Sequence, residues 1–355
     1  MKKSVSCLVL LLSILVLVGC NARPTLHIVN WGDYMDPDLI AQFEAEYHCK
    51  VNEKIATSNE AIASVLEASA SPYDLAVPSE YMVQKLIDLG LVSPIDFSRL
   101  EHWENVTVFP ELEALYTPMG IGDYVVPYAW GTIGILYNTQ NHPEIGTLIA
   151  EEGWGALFDH TQQYNVGMYD SSRDAVAAAL LYLGYSVNSE DVGQLALAEQ
   201  ALISGRFSWG EDLLRTSVIS GNLDMALVYS GDFLSEYYLA EADGITIGFD
   251  YGVPEAGTNV WMDAFVLCSS SKNADLAYKF IDFFLQADHA LPNYDYIGYA
   301  PCYTEYFQTM VTDYGYDLPV FDPYPQAAVR QMYVYGSDTR SQRVTQILAN
   351  AKDED

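Results

Sequence analysis

The sequence contains few basic residues. It has 16 Lys and Arg against 48 Asp and Glu, which gives a formal net charge of −32. Proteins bind nucleic acids and anionic membrane surfaces through clusters of Lys and Arg, so this composition argues against both kinds of partner. A strongly negative field favours the approach of small cations instead.

Most patterns of catalytic and metal sites are missing as well. The chain has no GxSxG motif, no Walker loop and no GxGxxG segment that opens a helix. Its six histidines show no HxH or HxxxH spacing, so we expect no metal site and no cofactor. Among 48 acids, some pair at glycosidase spacing is expected by chance, and it does not predict a catalytic residue.

Cysteine is too scarce to predict a disulfide framework. After residue 19 the chain has Cys20, Cys49, Cys268 and Cys302, and no CxxC spacing occurs. With Cys20 modified, as argued next, the other three cannot all pair. We expect buried thiols, with a single disulfide as the alternative.

Long apolar runs are confined to the N-terminus. Two lysines precede an apolar stretch at residues 7–18, which is too short for a membrane-spanning helix and ends just before Cys20. This pattern is typical of a bacterial lipoprotein signal, and an ordinary signal peptide with a chance cysteine is the alternative. We predict that residues 1–19 are removed and that acylated Cys20 anchors the protein at the extracytoplasmic face of the cell membrane.

The rest of the chain is suited to a large folded core. Half of its residues are hydrophobic and 27 are tyrosines, which is unlike a disordered chain. Without residues 1–19 the chain keeps about 335 residues, more than a single core usually holds, so we expect two lobes.

Strand-like and helix-like segments alternate along the chain. The predicted strands are 26–31, 73–78, 166–169, 225–230, 245–249 and 260–268, with a long extended run at 124–138 whose far end we take as the first crossing between lobes. Helices are predicted near 38–48, 61–70, 174–183, 190–203 and 274–285, the second of them opened by a capping box of Thr57 and Glu60. The alternation predicts an α/β architecture with mostly parallel sheets.

Aromatic residues and single carboxylates recur together where these strands end. The segments are WGDY at 31–34, SEY at 79–81, YSGD at 229–232 and WMD at 261–263. Ligands of open α/β sheets lie outside the carboxyl ends of the strands. Aromatic rings cover methylene groups and attract ammonium groups, and carboxylates accept charge-assisted hydrogen bonds, so a site of this kind suits an organic cation. For any one segment alone, core packing and helix capping are the better explanation.

Taken in order, these segments resemble the spermidine/putrescine-binding proteins of polyamine ABC importers, within the family 1 extracellular solute-binding proteins. The similarity extends over nearly the whole chain after the signal and is carried by NWGDY at 30–34, TSNEAI at 57–62, YDLAVPSEY at 73–81, VPYAWGTIGILYN at 126–138, LGYSVNS at 183–189, YSGDF at 229–233, WMDAF at 261–265 and IGYAP at 297–301. The resemblance implies a two-lobed clamshell of the type II periplasmic-binding-protein class, each lobe a mostly parallel sheet flanked by helices. Lobe one would comprise residues 24–133 and 262–307, and lobe two residues 134–261 and 308–355.

The resemblance also implies the ligand contacts. Asp263 would grip a primary ammonium group, Ser79 and Tyr81 would supply hydroxyl contacts, and Asp174 would contact the amine region. Five rings would enclose the aliphatic chain, namely Trp31, Tyr34, Tyr229, Trp261 and Tyr299. The alternative is that Asp174 caps the N-terminus of a helix and pairs with the neighbouring Arg173.

The motifs are mixed on the length of the ligand. Asp33 and Asp232 match acids of the putrescine-preferring branch, while Ser171 replaces an aspartate of the spermidine-binding pattern. We favour putrescine, with spermidine also bound. Residues 329–333 align too loosely for contacts to be assigned.

The implied function is the capture of polyamines by a monomer and their delivery to the permease subunits of an ABC transporter, without catalysis. Two alternatives stay open. A binding protein for another cationic solute or ferric iron is the first, because some relatives bind iron through paired tyrosines; Tyr237 and Tyr238 are adjacent here, but in a helical segment. An extracellular hydrolase is the second, although the sequence singles out no nucleophile–base or acid pair.

We expect the Cys20→Ala variant to leave the membrane fraction or to keep residues 1–19 uncleaved, because nothing later in the sequence is apolar enough to hold a bilayer. Detergent-free cell fractionation with immunoblotting measures this. A Cys49→Ala variant serves as the control and should stay with the membrane. Unchanged membrane association of Cys20→Ala would show that another anchor exists.

Overall fold

The computed structural model describes residues 23–68, 72–324 and 330–353. The predicted signal at 1–19 and the predicted lipidation site Cys20 lie outside these residues. No helix in the three described ranges is long and apolar enough to cross a membrane.

The described residues form twelve strands. They are β1 (Thr25–Asn30), β2 (Lys50–Ile55), β3 (Leu75–Ala76), β4 (Val92–Ser93), β5 (Val126–Asn138), β6 (Val166–Tyr169), β7 (Phe207–Gly210), β8 (Met225–Tyr229), β9 (Phe249–Gly252), β10 (Thr258–Cys268), β11 (Ala300–Pro301) and β12 (Arg330–Met332). Five of these twelve strands, β2, β4, β7, β11 and β12, were not predicted.

Helices connect most of these strands. They are α1 (Pro37–Glu46), α2 (Asn59–Glu67), α3 (Glu80–Asp88), α4 (Pro110–Tyr116), α5 (Ile145–Glu152), α6 (Gly155–Phe158), α7 (Ser172–Tyr182), α8 (Val192–Ser204), α9 (Leu213–Ile219), α10 (Ser230–Ala242), α11 (Ala274–Phe284), α12 (Ala287–Ile297), α13 (Thr304–Thr312) and α14 (Asp338–Asp353). Local sequence explains their starts: α1, for example, opens with Pro37 after Asp36, whose carboxylate accepts a hydrogen bond from the Asp38 amide.

The described strands form one curled sheet with the order β2-β1-β3-β10-β5-β8-β6-β7. At one end β2, β1 and β3 run parallel, and at the other end β8, β6 and β7 run parallel. We call these the first and the second half-sheet. The predicted α/β class is thereby confirmed, but the sheet is mixed: the strands within each half-sheet are parallel, whereas β5 and β10 pair antiparallel with each other and with β8 and β3. The predicted division into two lobes at 133/134, 261/262 and 307/308 stays a prediction.

Two long strands join the half-sheets. β5 and β10 are buried at every position and pair antiparallel, with Val260 opposite Thr132 and Phe265 opposite Val126. Burial on both faces explains why their sequences are almost continuously apolar and do not alternate. The register shifts between Asp263 and Ala264, and such a bulge changes the direction in which the neighbouring side chains point.

Two local predictions were wrong. The strand predicted at 245–249 is β9, four residues later at Phe249–Gly252, because Ile245 directly follows the left-handed Gly244 after α10 and is exposed. The predicted N-cap Thr57 lies one residue too early: Ser58 caps α2, and its hydroxyl accepts from the Ala61 amide at 3.0 Å. The predicted buried thiols are confirmed, since Cys49, Cys268 and Cys302 are free and buried.

Gly131 of β5 makes room for the central part of β10. A Cβ atom there would lie 2.7 Å from a ring carbon of Trp261 and 2.8 Å from Oγ of Ser230, both closer than real Cβ contacts. The missing side chain therefore allows the Trp261 ring to lie directly against the β5 backbone.

We expect the Gly131→Ala variant to lower the free energy of unfolding by about 1–3 kcal/mol, because the new methyl group forces Trp261 or the backbone to move. Urea unfolding followed by circular dichroism measures this. Gly122→Ala is the control, since a Cβ there would be 3.8 Å from the nearest Tyr116 carbon. Equal stabilities for the two variants would contradict the packing argument.

Candidate functional site

The predicted site residues come together where the carboxyl ends of the strands meet the crossing strands. Trp31 follows β1, Ser79 follows β3, Tyr229 ends β8, and Asp174 lies in the first turn of α7 after β6. Trp261 and Asp263 lie in the middle of β10, between the two half-sheets. This arrangement follows the general rule for ligand sites of α/β sheets.

Asp263 is a buried acid at the centre of this region. Its side chain is 6% exposed, and its Oδ1 accepts a hydrogen bond from Oγ of Ser79 at 2.6 Å. Burial raises the pKa of Asp263 to about 7, and the hydroxyls of Ser79 and Tyr34 lower it only in part. In the described ranges no Lys, Arg or His forms an ion pair with this carboxyl group. It is therefore a buried acid that lacks a cation.

A relay of hydrogen bonds fixes the Ser79 hydroxyl. Asn59 donates from Nδ2 to Oγ of Ser79 at 2.9 Å, and its Oδ1 accepts from the Ser79 amide at 2.9 Å. The Ser79 proton is thus directed at Asp263. Ser79 was predicted to contact a ligand, and in the structure its hydroxyl orients Asp263. Asn59 was not predicted, although it lies in the TSNEAI segment that carried the resemblance.

Four of the predicted rings form a continuous cluster. Edge-to-face contacts join Tyr34 to Tyr299 at 5.7 Å, Tyr299 to Trp261 at 5.0 Å, and Trp261 to Tyr229 at 5.8 Å between ring centroids. Tyr169, which was not predicted, extends the cluster with a contact of 5.0 Å to Tyr229. We call these five residues the aromatic cluster. Tyr169 is the last residue of β6, and this position at the end of a predicted strand is the signal that could have identified it.

The aromatic cluster retains unused hydrogen-bonding groups. The indole Nε1 of Trp261 is buried and has no hydrogen-bond partner among the described residues, and the buried hydroxyl of Tyr34 lies close enough to Asp263 to lower its pKa but without the geometry of a hydrogen bond. Leaving such groups unpaired costs free energy, so they favour a ligand or water as an additional partner. The indole N–H of Trp31, in contrast, is already paired, since it donates to the carbonyl of Val77 at 2.8 Å.

Asp174 adjoins the far end of the cluster. Its carboxylate accepts hydrogen bonds from Tyr229 at 2.8 Å and from Tyr333 at 3.3 Å. Burial raises the pKa of Asp174, and these hydroxyls oppose the shift. The N-cap of α7 is Ser171, so helix capping does not explain Asp174. Tyr333 belongs to the segment for which the sequence allowed no assignment.

A cation of the protein itself covers the ring of Tyr81, whose predicted hydroxyl contact with a ligand stays a prediction. The guanidinium of Arg173 lies over its ring at 3.5 Å from the centroid, so the protein itself supplies a cation to this aromatic face. Arg173 is 9% exposed, and Glu60 is the nearest carboxylate at 3.7 Å. Its Nε and Nη1 have no hydrogen-bond partner among the described residues.

The two acids assigned to the putrescine branch lie in different environments. Asp33 is exposed and has a left-handed backbone with φ of 49°, so it is not brought into the buried site. Asp232 lies in the first turn of α10 with a largely buried side chain, and burial raises its pKa to about 6. Arg215 opposes that shift and forms an ion pair with Asp232 at 3.3 Å.

Glu80 is the carboxylate of the SEY segment, to which the sequence analysis assigned no ligand contact. It is fully buried at the start of α3, and its Oε2 accepts from the Met262 amide at 2.9 Å. Burial raises the pKa of Glu80 to about 8, and the neighbouring Asp263 adds to the shift. The site therefore presents carboxyl groups in a desolvated environment, which suits a cation that brings its own charge.

Paired tyrosines are not part of this site. Tyr237 and Tyr238 lie in α10, where Tyr238 accepts from the Leu318 amide at 3.1 Å and packs against Tyr316 at 4.1 Å. Within the described ranges no group of three or more His, Cys, Asp or Glu residues could hold a metal ion.

Comparisons with known proteins agree with this geometry. Residues 38–315 match the family model of the bacterial extracellular solute-binding proteins. The spermidine/putrescine-binding periplasmic protein of Salmonella typhimurium is 30% identical over 281 residues, which cover 78% of this chain and 76% of the relative. The putrescine-binding periplasmic protein PotF of Escherichia coli is 28% identical over 313 residues, 84% of each chain.

Solved structures show the same fold. A putative spermidine/putrescine ABC transporter protein from Listeria monocytogenes superposes with a TM-score of 0.80 at 29% identity, covering 92% of this chain and 98% of the other. The substrate-binding protein PotD of a spermidine/putrescine ABC transporter from Streptococcus pneumoniae gives a TM-score of 0.74 at 28% identity, covering 93% and 99%. The chain belongs to the family of bacterial extracellular solute-binding proteins.

Proposed function

We propose that this protein binds a polyamine, putrescine or spermidine, at the aromatic cluster. The observation that carries the proposal is the carboxyl group of Asp263, which is buried, hydrogen-bonded to Ser79 and without a cationic partner in the described ranges. An ammonium group at Asp263 would supply the missing charge and form charge-assisted hydrogen bonds. The names of the relatives from Salmonella typhimurium and Escherichia coli support the same ligand class.

The cluster suits the rest of such a ligand. Methylene groups would lie between the rings of Tyr34, Tyr299 and Trp261, whose faces also attract ammonium groups. A second ammonium group would bind near Asp174, which Tyr229 and Tyr333 hold in place. The remaining predicted contacts, Trp31 and Tyr81 among them, belong to the same proposal at the edges of the site.

The transport role extends this proposal beyond the binding site. The protein would deliver its ligand to the permease subunits of an ABC transporter, as a monomer without catalytic activity. Acylated Cys20 would hold it at the extracytoplasmic face of the membrane. Residues 24–133 with 262–307 and residues 134–261 with 308–355 would form lobes that close around the ligand by bending at β5 and β10.

Removal of the Asp263 charge tests the binding site. We expect Asp263→Asn to weaken binding of putrescine or spermidine by well over tenfold, because a buried ammonium group without its partner costs about 2–5 kcal/mol. Isothermal titration calorimetry measures the dissociation constants. Asp275→Asn removes the same charge from a surface ion pair with Arg99 and should bind as the wild type does.

The pH dependence of the same variant gives a second readout. A cationic ligand binds the ionised carboxylate, so wild-type affinity should fall as the pH decreases through about 7, where Asp263 takes up a proton. Asp263→Asn should lose most of this dependence. Wild-type affinity in the Asp263→Asn variant, or binding of ferric citrate and not of polyamines, would reject the proposal.

Ligand binding should also stabilise the fold. At about 100 times its dissociation constant, a ligand adds roughly 2.7 kcal/mol to the apparent free energy of unfolding. We therefore expect a higher melting temperature with putrescine or spermidine, together with a change in tryptophan fluorescence, because Trp261 lies in the cluster. Glucose at the same concentration is the control. A melting temperature indifferent to putrescine, spermidine and spermine would contradict polyamine binding.

A further inference from the structure

Arg215 bridges two acids of α10. It lies on α9, and its Nη1 is 3.3 Å from Asp232 while its Nε is 3.0 Å from Glu236, one turn further along α10. The Asp232 side chain is 12% exposed and that of Arg215 28%, so the pair is partly withdrawn from water. The protein itself therefore supplies the cation of Asp232, in contrast to Asp263.

Asp232 is nevertheless a neighbour of the aromatic cluster. The ring of Tyr299 lies against the backbone of Gly231, where a Cβ would be 2.1 Å from a ring carbon. Burial is the main cause that raises the pKa of Tyr299, and the charges of Asp232 and Asp263 both add to it. Tyr299 thus lies close enough to both acids for their charges to raise its pKa, and Asp232 belongs to α10, which follows β8 of the second half-sheet.

Three aspartates adjoin the cluster, but they are not equally available to a ligand. The fourth acid of the site, Glu80, accepts from the Met262 amide, and its pKa of about 8, raised by burial, favours its neutral form at pH 7. Asp263 has no cationic partner among the described residues. Asp174 accepts hydrogen bonds from the hydroxyls of Tyr229 and Tyr333 and forms no ion pair with a described residue, although its pKa, which burial raises, is lowered in part by the charge of the neighbouring Arg173. Asp232 is paired with a guanidinium that an ammonium group would have to displace. Two available carboxylates match the two charges of a diamine.

We propose that Arg215 is a specificity-determining residue, which occupies Asp232 and thereby leaves two carboxylates for the ligand, so that diamines are favoured over triamines. This inference rests on the proposed polyamine function. A triamine brings a third ammonium group into a site whose third carboxylate is already neutralised. The site would then discriminate between diamines and triamines because Arg215 already neutralises Asp232, in addition to the contacts that the site makes with the ligand.

The test compares putrescine with spermidine in calorimetry on the full chain. Arg215→Gln should raise spermidine affinity relative to putrescine by about tenfold, since a freed carboxylate can pair with the third ammonium group. The titrations are run at pH 8, because the pKa of Asp232 is already raised to about 6 and loses the lowering effect of Arg215 in this variant. Unchanged far-ultraviolet circular dichroism and urea midpoint establish that the variant is folded.

Two control variants separate the ion pair from the general field. Lys352→Gln removes one positive charge beside Asp170, near the start of α7, and should leave the ratio of the two affinities unchanged. Arg215→Gln combined with Asp232→Asn removes both partners and should return the ratio to that of the wild type.

Each of several outcomes would overturn the inference. An Arg215→Gln ratio within about twofold of the wild type would show that Arg215 does not select ligands. If the rise in spermidine affinity relative to putrescine affinity persists in the double variant, or is equally large in Lys352→Gln, the effect comes from the overall electrostatic field of the protein. A wild type that binds neither putrescine nor spermidine would reject the proposed function and this inference with it, whereas wild-type binding with an unchanged ratio rejects only the inference.

Discussion

The burial of the Asp263 carboxyl group is the constraint on which the site depends. A charge in a desolvated position is stable only with hydrogen bonds and a partner. Here the protein supplies the hydrogen bonds, and no described residue supplies a cationic partner. Asn59 fixes Ser79, Ser79 fixes Asp263, and the bulge in β10 places Asp263 beside Ser79. Several elements therefore cooperate to hold one acid ready for a cation.

The two crossing strands make this arrangement possible. β10 pairs with β3 of the first half-sheet, β5 pairs with β8 of the second, and the two strands pair with each other, so their middle lies where the carboxyl ends of the outer strands converge. Small residues allow the rings to approach closely at this point: Gly131 lies under Trp261, and Gly231 lies under Tyr299. The aromatic cluster is thus built from side chains of distant segments that contact the same stretch of β10.

The site contains positively charged side chains, although the overall charge of the protein is strongly negative. The chain is strongly acidic, yet two arginines adjoin the cluster and satisfy particular groups: Arg173 covers the ring of Tyr81, and Arg215 pairs with Asp232. A buried arginine beside an acid reduces the attraction of that acid for a second cation. These guanidinium groups are unevenly distributed: Asp232 has a cationic partner, whereas Asp263 has none among the described residues.

The sequence alone determined much of this protein. Strand ends such as WGDY and YSGD, and the apolar run of β5, predicted the α/β class and most of the residues that meet at the site, because local hydrophobic patterns and turn residues are sufficient to locate strand ends. Only the tertiary structure decided how these residues divide into roles. Ser79 and Asp263 are 184 positions apart, and Asp174 and Tyr333 are 159 apart, so no local pattern could pair them. The exposure of Asp33 and the pairing of Asp232 with Arg215 likewise follow from the packing of separate segments, which short-range sequence patterns do not encode.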